Sequence, residues 1–134
     1  MPIAITAEQR AIQESIREWA ARAGARATVR DLEPGRATAA GQPWRRHWAD
    51  LAGLGVFSIA LPENAGGAGG SACDVAAALE QVTDALVPGP VTSTVLAGLL
   101  LAAHPDVPAV KGLLPAIAAG VASVAVAVSA GTVT

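Results

Sequence analysis

Aromatic residues, cysteines and charges are all scarce in this chain of 134 residues. Phe and Trp together make up 3% of it and Tyr is absent, so the core must consist of Ala, Leu and Val, which suit close helix packing. Cys73 has no second cysteine to pair with, which excludes an intrachain disulfide and favours a cytoplasmic location. A formal net charge of −2 gives no overall case for a nucleic-acid-binding protein.

Charges are also missing from a long C-terminal run, and the histidines lack the pattern of metal ligands. Residues 112–134 contain no charged side chain. Because Pro115, Gly120 and a Val/Ala alternation interrupt this run and no basic residue follows it, we expect no membrane span. His47 and His104 lie far apart in the sequence, so we predict surface or capping histidines and no metal site.

Apolar periodicity and helix-end signals predict five helices. Two capping boxes, Thr6–Gln9 and Ser71–Asp74, mark the starts of the first and third helices. Pro43 suits the first turn of the second helix, and Gly53 or Gly55 supplies its end. The predicted helices run over about residues 7–30, 43–53 (or 55), 72–87, 92–103 and 107–119.

Two further segments have strand character. Residues 56–61 form a short apolar run, and their periodicity leaves a strand and an extended connector equally open. Within residues 121–128, Val124, Val126 and Val128 alternate with alanines, a period of two with β-branched side chains, which predicts a strand. Because a lone strand has no partner for its backbone groups, this strand indicates that the chain is cut inside a larger protein.

A glycine-rich loop precedes the third predicted helix. Residues 67–72 match the dinucleotide-binding pattern G-x-G-x-x-A, which leaves a small nucleotide-binding protein as one hypothesis. However, residues 62–65 separate these glycines from the preceding apolar run, and no second parallel strand follows the helix. The sequence therefore favours a structural loop.

Several short sequence elements follow one another along the chain in a characteristic order. They are Thr6-Ala7-Glu8-Gln9, Trp48, Leu51-Ala52-Gly53-Leu54-Gly55, Leu61-Pro62-Glu63, Gly66-Gly67-Ala68-Gly69-Gly70, Asp74, Leu79-Glu80 and Pro88-Gly89-Pro90. Together they resemble the N-terminal helical domain of the acyl-CoA dehydrogenase family, nearly from end to end. The Leu-Gly, Pro-Glu and Gly-Gly elements are specific as a set at this spacing, and none is specific alone.

The resemblance implies an all-α fold: an orthogonal bundle of about five helices over residues 1–120. The strand in residues 121–134 would then begin an incomplete middle β domain. In the family this strand leads to a Thr-Glu-Pro loop that contacts the flavin ring. Val128 and Ser129 occupy that place here, so the resemblance implies that they contact FAD, although the Glu-Pro is absent.

The resemblance also implies a reaction, the α,β-dehydrogenation of an acyl-CoA thioester. In the family a carboxylate removes the α proton, and the β hydride passes to flavin N5. The usual base is a glutamate of the C-terminal domain, so residues 1–134 are expected to hold no catalytic residue and to be inactive alone. The uncharged face of the fourth helix is expected to line the acyl pocket, although core packing explains it equally well: Val95, Leu96, Leu99 and Leu100.

For the complete protein, the resemblance implies an acyl-CoA substrate, an electron-transfer flavoprotein as partner, and a homo- or hetero-oligomer. Two alternatives remain open. One is a non-catalytic helical module that binds a partner protein through its apolar helices. The other is a degenerate dehydrogenase subunit.

Overall fold

The computed structural model describes residues 5–33 and 42–127. Within these ranges the chain is helical, which confirms the all-α class, but it forms six α-helices where the sequence predicted five. A 3₁₀ turn at Glu63–Ala65 lies between the third and fourth helices. The helices are α1 (Ala7–Ala23), α2 (Ala25–Asp31), α3 (Arg45–Gly53), α4 (Ala72–Asp84), α5 (Val91–Ala102) and α6 (Pro108–Ala118).

The additional helix arises at Gly24, which divides the first predicted helix in two. Gly24 has a φ of 67°, in the left-handed region that glycine enters without a Cβ clash. Its carbonyl accepts the amides of Ala27 and Thr28 at 3.0 and 3.2 Å, and this starts α2. The change of direction buries Ala25 and Thr28 on the inner face of α2. The prediction of one helix over residues 7–30 is therefore wrong.

Both predicted capping boxes are confirmed. In each box the hydroxyl of the residue before the helix accepts the backbone amide three residues later, at 3.1 Å for Thr6 and 3.2 Å for Ser71. The third-position side chain returns a bond to the backbone amide of the same capping residue. These bonds satisfy amides that have no partner inside the helix, so they define where α1 and α4 begin.

Two glutamines of α1 join it to α4. Gln9 Nε2 donates to Asp74 Oδ1 at 2.9 Å, at the start of both helices. One turn further along, Gln13 Nε2 donates to Glu80 Oε2 at 3.0 Å. The contact made further along α1 is also made further along α4, so the two helices lie side by side and run in the same direction.

Trp48 lies at the junction of α3, the chain after it and the end of α6. Its ring stacks on Phe57 with centroids 4.3 Å apart, and its Nε1 donates to the Gly120 carbonyl at 2.8 Å. Residues 56–61 form successive turns rather than a strand, so this apolar run is a buried connector. The buried apolar core comprises Ile16, Trp48, Leu51, Val56, Phe57, Ile59, Leu61, Ala65, Val75, Ala78, Val82, Val91, Val95, Val110, Leu114, Ile117 and Ala118.

His47 is buried between α2 and α3, so the prediction of a surface or capping histidine is wrong for it. Thr28 Oγ1 lies 2.8 Å from His47 Nε2, and Arg46 Nε donates to the same nitrogen at 3.2 Å. Burial lowers the pKa of His47, the neighbouring Arg46 charge lowers it further, and Asp50 partly opposes both. Sequence spacing alone does not reveal this cluster, because it forms only when the turn at Gly24 brings α2 onto α3.

α4 ends at Asp84, three residues before its predicted end. The chain turns left-handed at Leu86, which has a φ of 55°. The Leu86 amide donates to the Thr83 carbonyl at 2.9 Å and the Val87 amide donates to the Val82 carbonyl at 3.1 Å, the pairing of a Schellman motif. Glycine usually occupies this position, since a Cβ makes the left-handed region costly. The predicted ranges of α5 and α6 agree with the structure to within one residue at each end.

The predicted C-terminal strand is not confirmed. Residues 121–127 follow α6 without forming a strand, and Val128 lies outside the described residues. Burial nevertheless alternates: Ala122 and Val124 are half-buried, while Val121 and Ser123 are exposed. A strand is defined by its hydrogen bonds to a neighbouring strand, and residues 5–33 and 42–127 contain no strand that could be this neighbour. The predicted domain boundary between residues 120 and 121 stays a prediction.

Candidate functional site

Helix α5 places the four predicted acyl-binding residues on two different faces. Val95 is buried and Leu99 is half-buried, both packed in or against the core. Leu96 and Leu100 lie one turn apart on the outer face and are 46% and 59% exposed. The structure therefore brings the four residues together on one helix, but only Leu96 and Leu100 form an apolar strip that a ligand can reach. The acyl-binding role of all four stays a prediction.

Close packing beneath α5 fixes the direction of this strip. A Cβ added at Gly98 would lie 3.2 Å from Leu61 Cδ2 and 3.5 Å from Ile117 Cγ2. The absence of a side chain at Gly98 thus lets α5 sit directly on α6 and on the buried connector. Since the inner face is held in this way, the outer leucines cannot rotate inward without opening the core.

Two hydroxyls of α5 hold the segment that follows α6. Thr94 Oγ1 accepts the Val124 amide at 2.9 Å and lies 3.1 Å from the Val124 carbonyl oxygen, to which it donates. Ser93 Oγ donates to the same carbonyl at 2.9 Å. Thr94 is fully buried, with 0% of its surface exposed, so water does not compete for these bonds.

Sequence reasoning missed this contact between α5 and residue 124. The available signal was the Thr-Ser-Thr run at residues 92–94, which stands in an otherwise apolar helix. Hydroxyls inside a buried helix need partners, because an unpaired buried polar group is costly. A buried Thr94 hydroxyl therefore needs a partner, but the sequence does not identify it, since Val124 is distant in sequence.

The two predicted flavin-contacting residues, Val128 and Ser129, lie outside the described residues. Val124 is the nearest point at which the structure anchors the chain before them. Their contact with FAD stays a prediction.

In the glycine-rich loop, the amides of residues 67–70 are not free to bind a phosphate. The amides of residues 67–70 all donate to carbonyls of residues 58–62, at distances of 2.7 to 3.0 Å. A Cβ at Gly67 would lie 1.9 Å from the Leu61 carbonyl oxygen, so glycine is required there for contact with the chain's own backbone. The glycines therefore serve packing, which supports the structural loop over the nucleotide-binding hypothesis.

The start of α4, where a nucleotide phosphate would sit, already holds a carboxylate. Asp74 Oδ2 accepts the Ser71 amide at 2.7 Å and the Ser71 hydroxyl at 2.8 Å. These bonds, with the one from Gln9, lower the pKa of Asp74, and the Ser71 amide has the largest effect. Cys73 is exposed beside this carboxylate.

Residues 5–33 and 42–127 offer neither a metal cluster nor a membrane-spanning helix. No three of the His, Cys, Asp and Glu side chains there come close enough to share a metal ion. In the same ranges, no helix has the length and apolar character needed to cross a membrane.

Comparisons with a family model and with individual proteins both relate this chain to acyl-CoA dehydrogenases. The family model of the acyl-CoA dehydrogenase N-terminal domain matches residues 6–121. The chain is 47% identical over 105 residues to acyl-CoA dehydrogenase FadE34 of Mycobacterium tuberculosis, an alignment covering 75% of this chain and 15% of that protein. It is 41% identical over 69 residues to acyl-CoA dehydrogenase IpdE2 of the same organism, covering 50% of this chain and 22% of that protein. The alignments thus span less than a quarter of either relative. No solved structure matches the chain.

Proposed function

Because the chain belongs to the acyl-CoA dehydrogenase family, we propose that residues 1–134 form the N-terminal helical part of an FAD-dependent acyl-CoA dehydrogenase. The match to the family's N-terminal domain over residues 6–121 carries this proposal. The complete protein would oxidise an acyl-CoA thioester between its α and β carbons. Residues 1–134 are assigned no catalytic base, and we propose that they are inactive alone.

In this proposal the outer face of α5 forms one wall of the acyl site. Leu96 and Leu100 offer an apolar strip, and burying such surface against an acyl chain contributes about 25 cal/mol per Å². Val95 and Leu99 hold the strip from below through their packing with the core. A charged group in this strip would oppose binding, since a charge desolvated against an acyl chain has no partner.

FAD would supply the hydride acceptor, and we propose that Val128 and Ser129 contact its ring. A serine hydroxyl and backbone amides are donors of the kind that tune flavins, so these residues suit the group. The loop at residues 67–70 has its amides engaged elsewhere, so we assign it no cofactor contact. An electron-transfer flavoprotein as electron acceptor, an oligomeric assembly and a cytoplasmic location complete the proposal.

The test uses the intact polypeptide purified from its source cells. We expect a yellow flavin absorption and turnover of acyl-CoA. Leu96→Asp and Leu100→Asp should each lower kcat/KM at least about tenfold, because loss of one good apolar contact already costs that much. Leu54→Asp is the matched control: Leu54 is 38% exposed at the end of α3, and its replacement should leave kcat/KM unchanged.

Two results would contradict the proposal. An intact polypeptide without flavin would favour the helical partner-binding module, for which the exposed leucines would be a protein contact. Turnover by purified residues 1–134, above a control without protein, would refute the expected inactivity of this part alone.

A further inference from the structure

Thr94 of α5 pairs with Val124, in the segment that follows α6. A single side chain engages both backbone groups of Val124, accepting from its amide at 2.9 Å and donating to its carbonyl at 3.1 Å. A residue of a neighbouring strand would engage the same two groups. Thr94 thus holds Val124 in the way that a strand partner holds a strand.

The position of Thr94 on α5 gives this pairing its significance. Leu96 follows Thr94 by two residues and lies on the outer face, whereas Thr94 is fully buried. Val128 follows Val124 by four residues in the sequence. One buried hydroxyl therefore links the helix of the proposed acyl wall to the segment that leads to the proposed flavin contact.

We propose that Thr94 is a positioning residue, which holds residues 121–127 at one register on α5 and so sets the acyl wall relative to the flavin-contacting residues. This proposal rests on the proposed function. Ser93 has a lesser part, because its hydroxyl makes one bond to Val124 at 2.9 Å and leaves the amide untouched. A register shift of one residue would place a neighbour of Val124 opposite Thr94.

The first measurement is amide hydrogen exchange of the intact polypeptide, in wild type and in Thr94→Val. Valine has nearly the shape of threonine but lacks the hydroxyl, so the helix is kept and both bonds are lost. We expect Val124 to exchange about tenfold faster, the change produced by losing one hydrogen bond. Thr94→Ser should restore protection, and Thr92→Val should leave it unchanged, because Thr92 is exposed on the same helix.

The second measurement is made on the intact polypeptide. With Thr94→Val we expect a shifted flavin absorption and a fall in kcat larger than any rise in KM, with Thr94→Ser restoring both. Unchanged exchange at Val124 would overturn the proposal, as would faster exchange with an unchanged flavin spectrum and unchanged kinetics. Absence of flavin from the wild type would instead refute the proposed function, while the exchange result would still decide whether Thr94 holds the segment.

Discussion

Gly120 offers the sharpest test of the packing at the end of α6. It has a φ of 69°, and an added Cβ would lie 2.5 Å from the Ala52 Cβ of α3. Its carbonyl also accepts the bond from Trp48. Gly120→Ala should therefore combine left-handed strain of about 1–2 kcal/mol with overpacking of about 1–3 kcal/mol. We expect the free energy of unfolding to fall by about 2–5 kcal/mol, a large part of the stability of a small domain.

Substitutions at two other glycines allow the backbone strain and the overpacking to be measured separately. Gly24 has a φ of 67° but no atom within 4 Å of an added Cβ, so Gly24→Ala should cost the strain alone, about 1–2 kcal/mol. Gly112 lies inside α6 with no atom within 4 Å and no left-handed φ. Gly112→Ala should stabilise the protein by up to about 1 kcal/mol, the difference in helix propensity.

The assay is urea unfolding followed by the fluorescence of the three tryptophans, with a common m-value as the check on two-state behaviour. If Gly120→Ala costs no more free energy of unfolding than Gly24→Ala, then the contact with Ala52 contributes none and the expected overpacking is refuted. A double-mutant cycle with Ala52→Gly adds a direct test. Removing the opposing Cβ should recover the overpacking part of the loss.

Two further predictions concern Leu86 and His47. Leu86→Gly should raise the free energy of unfolding by about 1 kcal/mol in the same urea assay, because it relieves the left-handed strain at φ 55° and the lost side chain is 54% exposed. Leu86→Ala keeps the strained Cβ, so a gain of equal size in this variant would contradict the explanation. Burial lowers the pKa of His47 in the folded protein, so as the pH falls the imidazole is protonated in the unfolded chain before it is protonated in the folded one. The free energy of unfolding should therefore be highest above about pH 6.5 and should fall as the pH drops towards the pKa of the folded state. This dependence of the free energy of unfolding on pH should disappear in His47→Gln. It should remain in His104→Ala, because His104 is exposed. If the dependence remains in His47→Gln, His47 is excluded as its cause.

Local signals predicted the helices well where the controlling contacts are close in sequence. The capping boxes at Thr6 and Ser71 depend on residues three positions apart, so they could be predicted from the sequence. The break at Gly24 was not predicted, because a glycine within an apolar stripe is compatible with one continuous helix and also with two shorter helices. Tertiary packing decided between them, by burying Ala25 and Thr28.

The candidate site was less predictable than the fold. An uncharged α5 gave four candidate leucine and valine positions, but only the packed structure separates exposed Leu96 and Leu100 from buried Val95. The bonds from Thr94 to Val124 join residues thirty positions apart. No periodic pattern encodes such a pairing, because it depends on where the end of α6 directs the chain.

The bridge from Gln9 to Asp74 has a consequence for two helices at once. The amino ends of α1 and α4 each carry a partial positive charge, and parallel neighbours place these like charges side by side. Asp74 is a negative charge at that place, bonded to the start of its own helix and, through Gln9, to the capping box of the other. The Asp74 carboxylate thus opposes both dipoles and couples the two helix ends, so that fraying of one removes a support from the other.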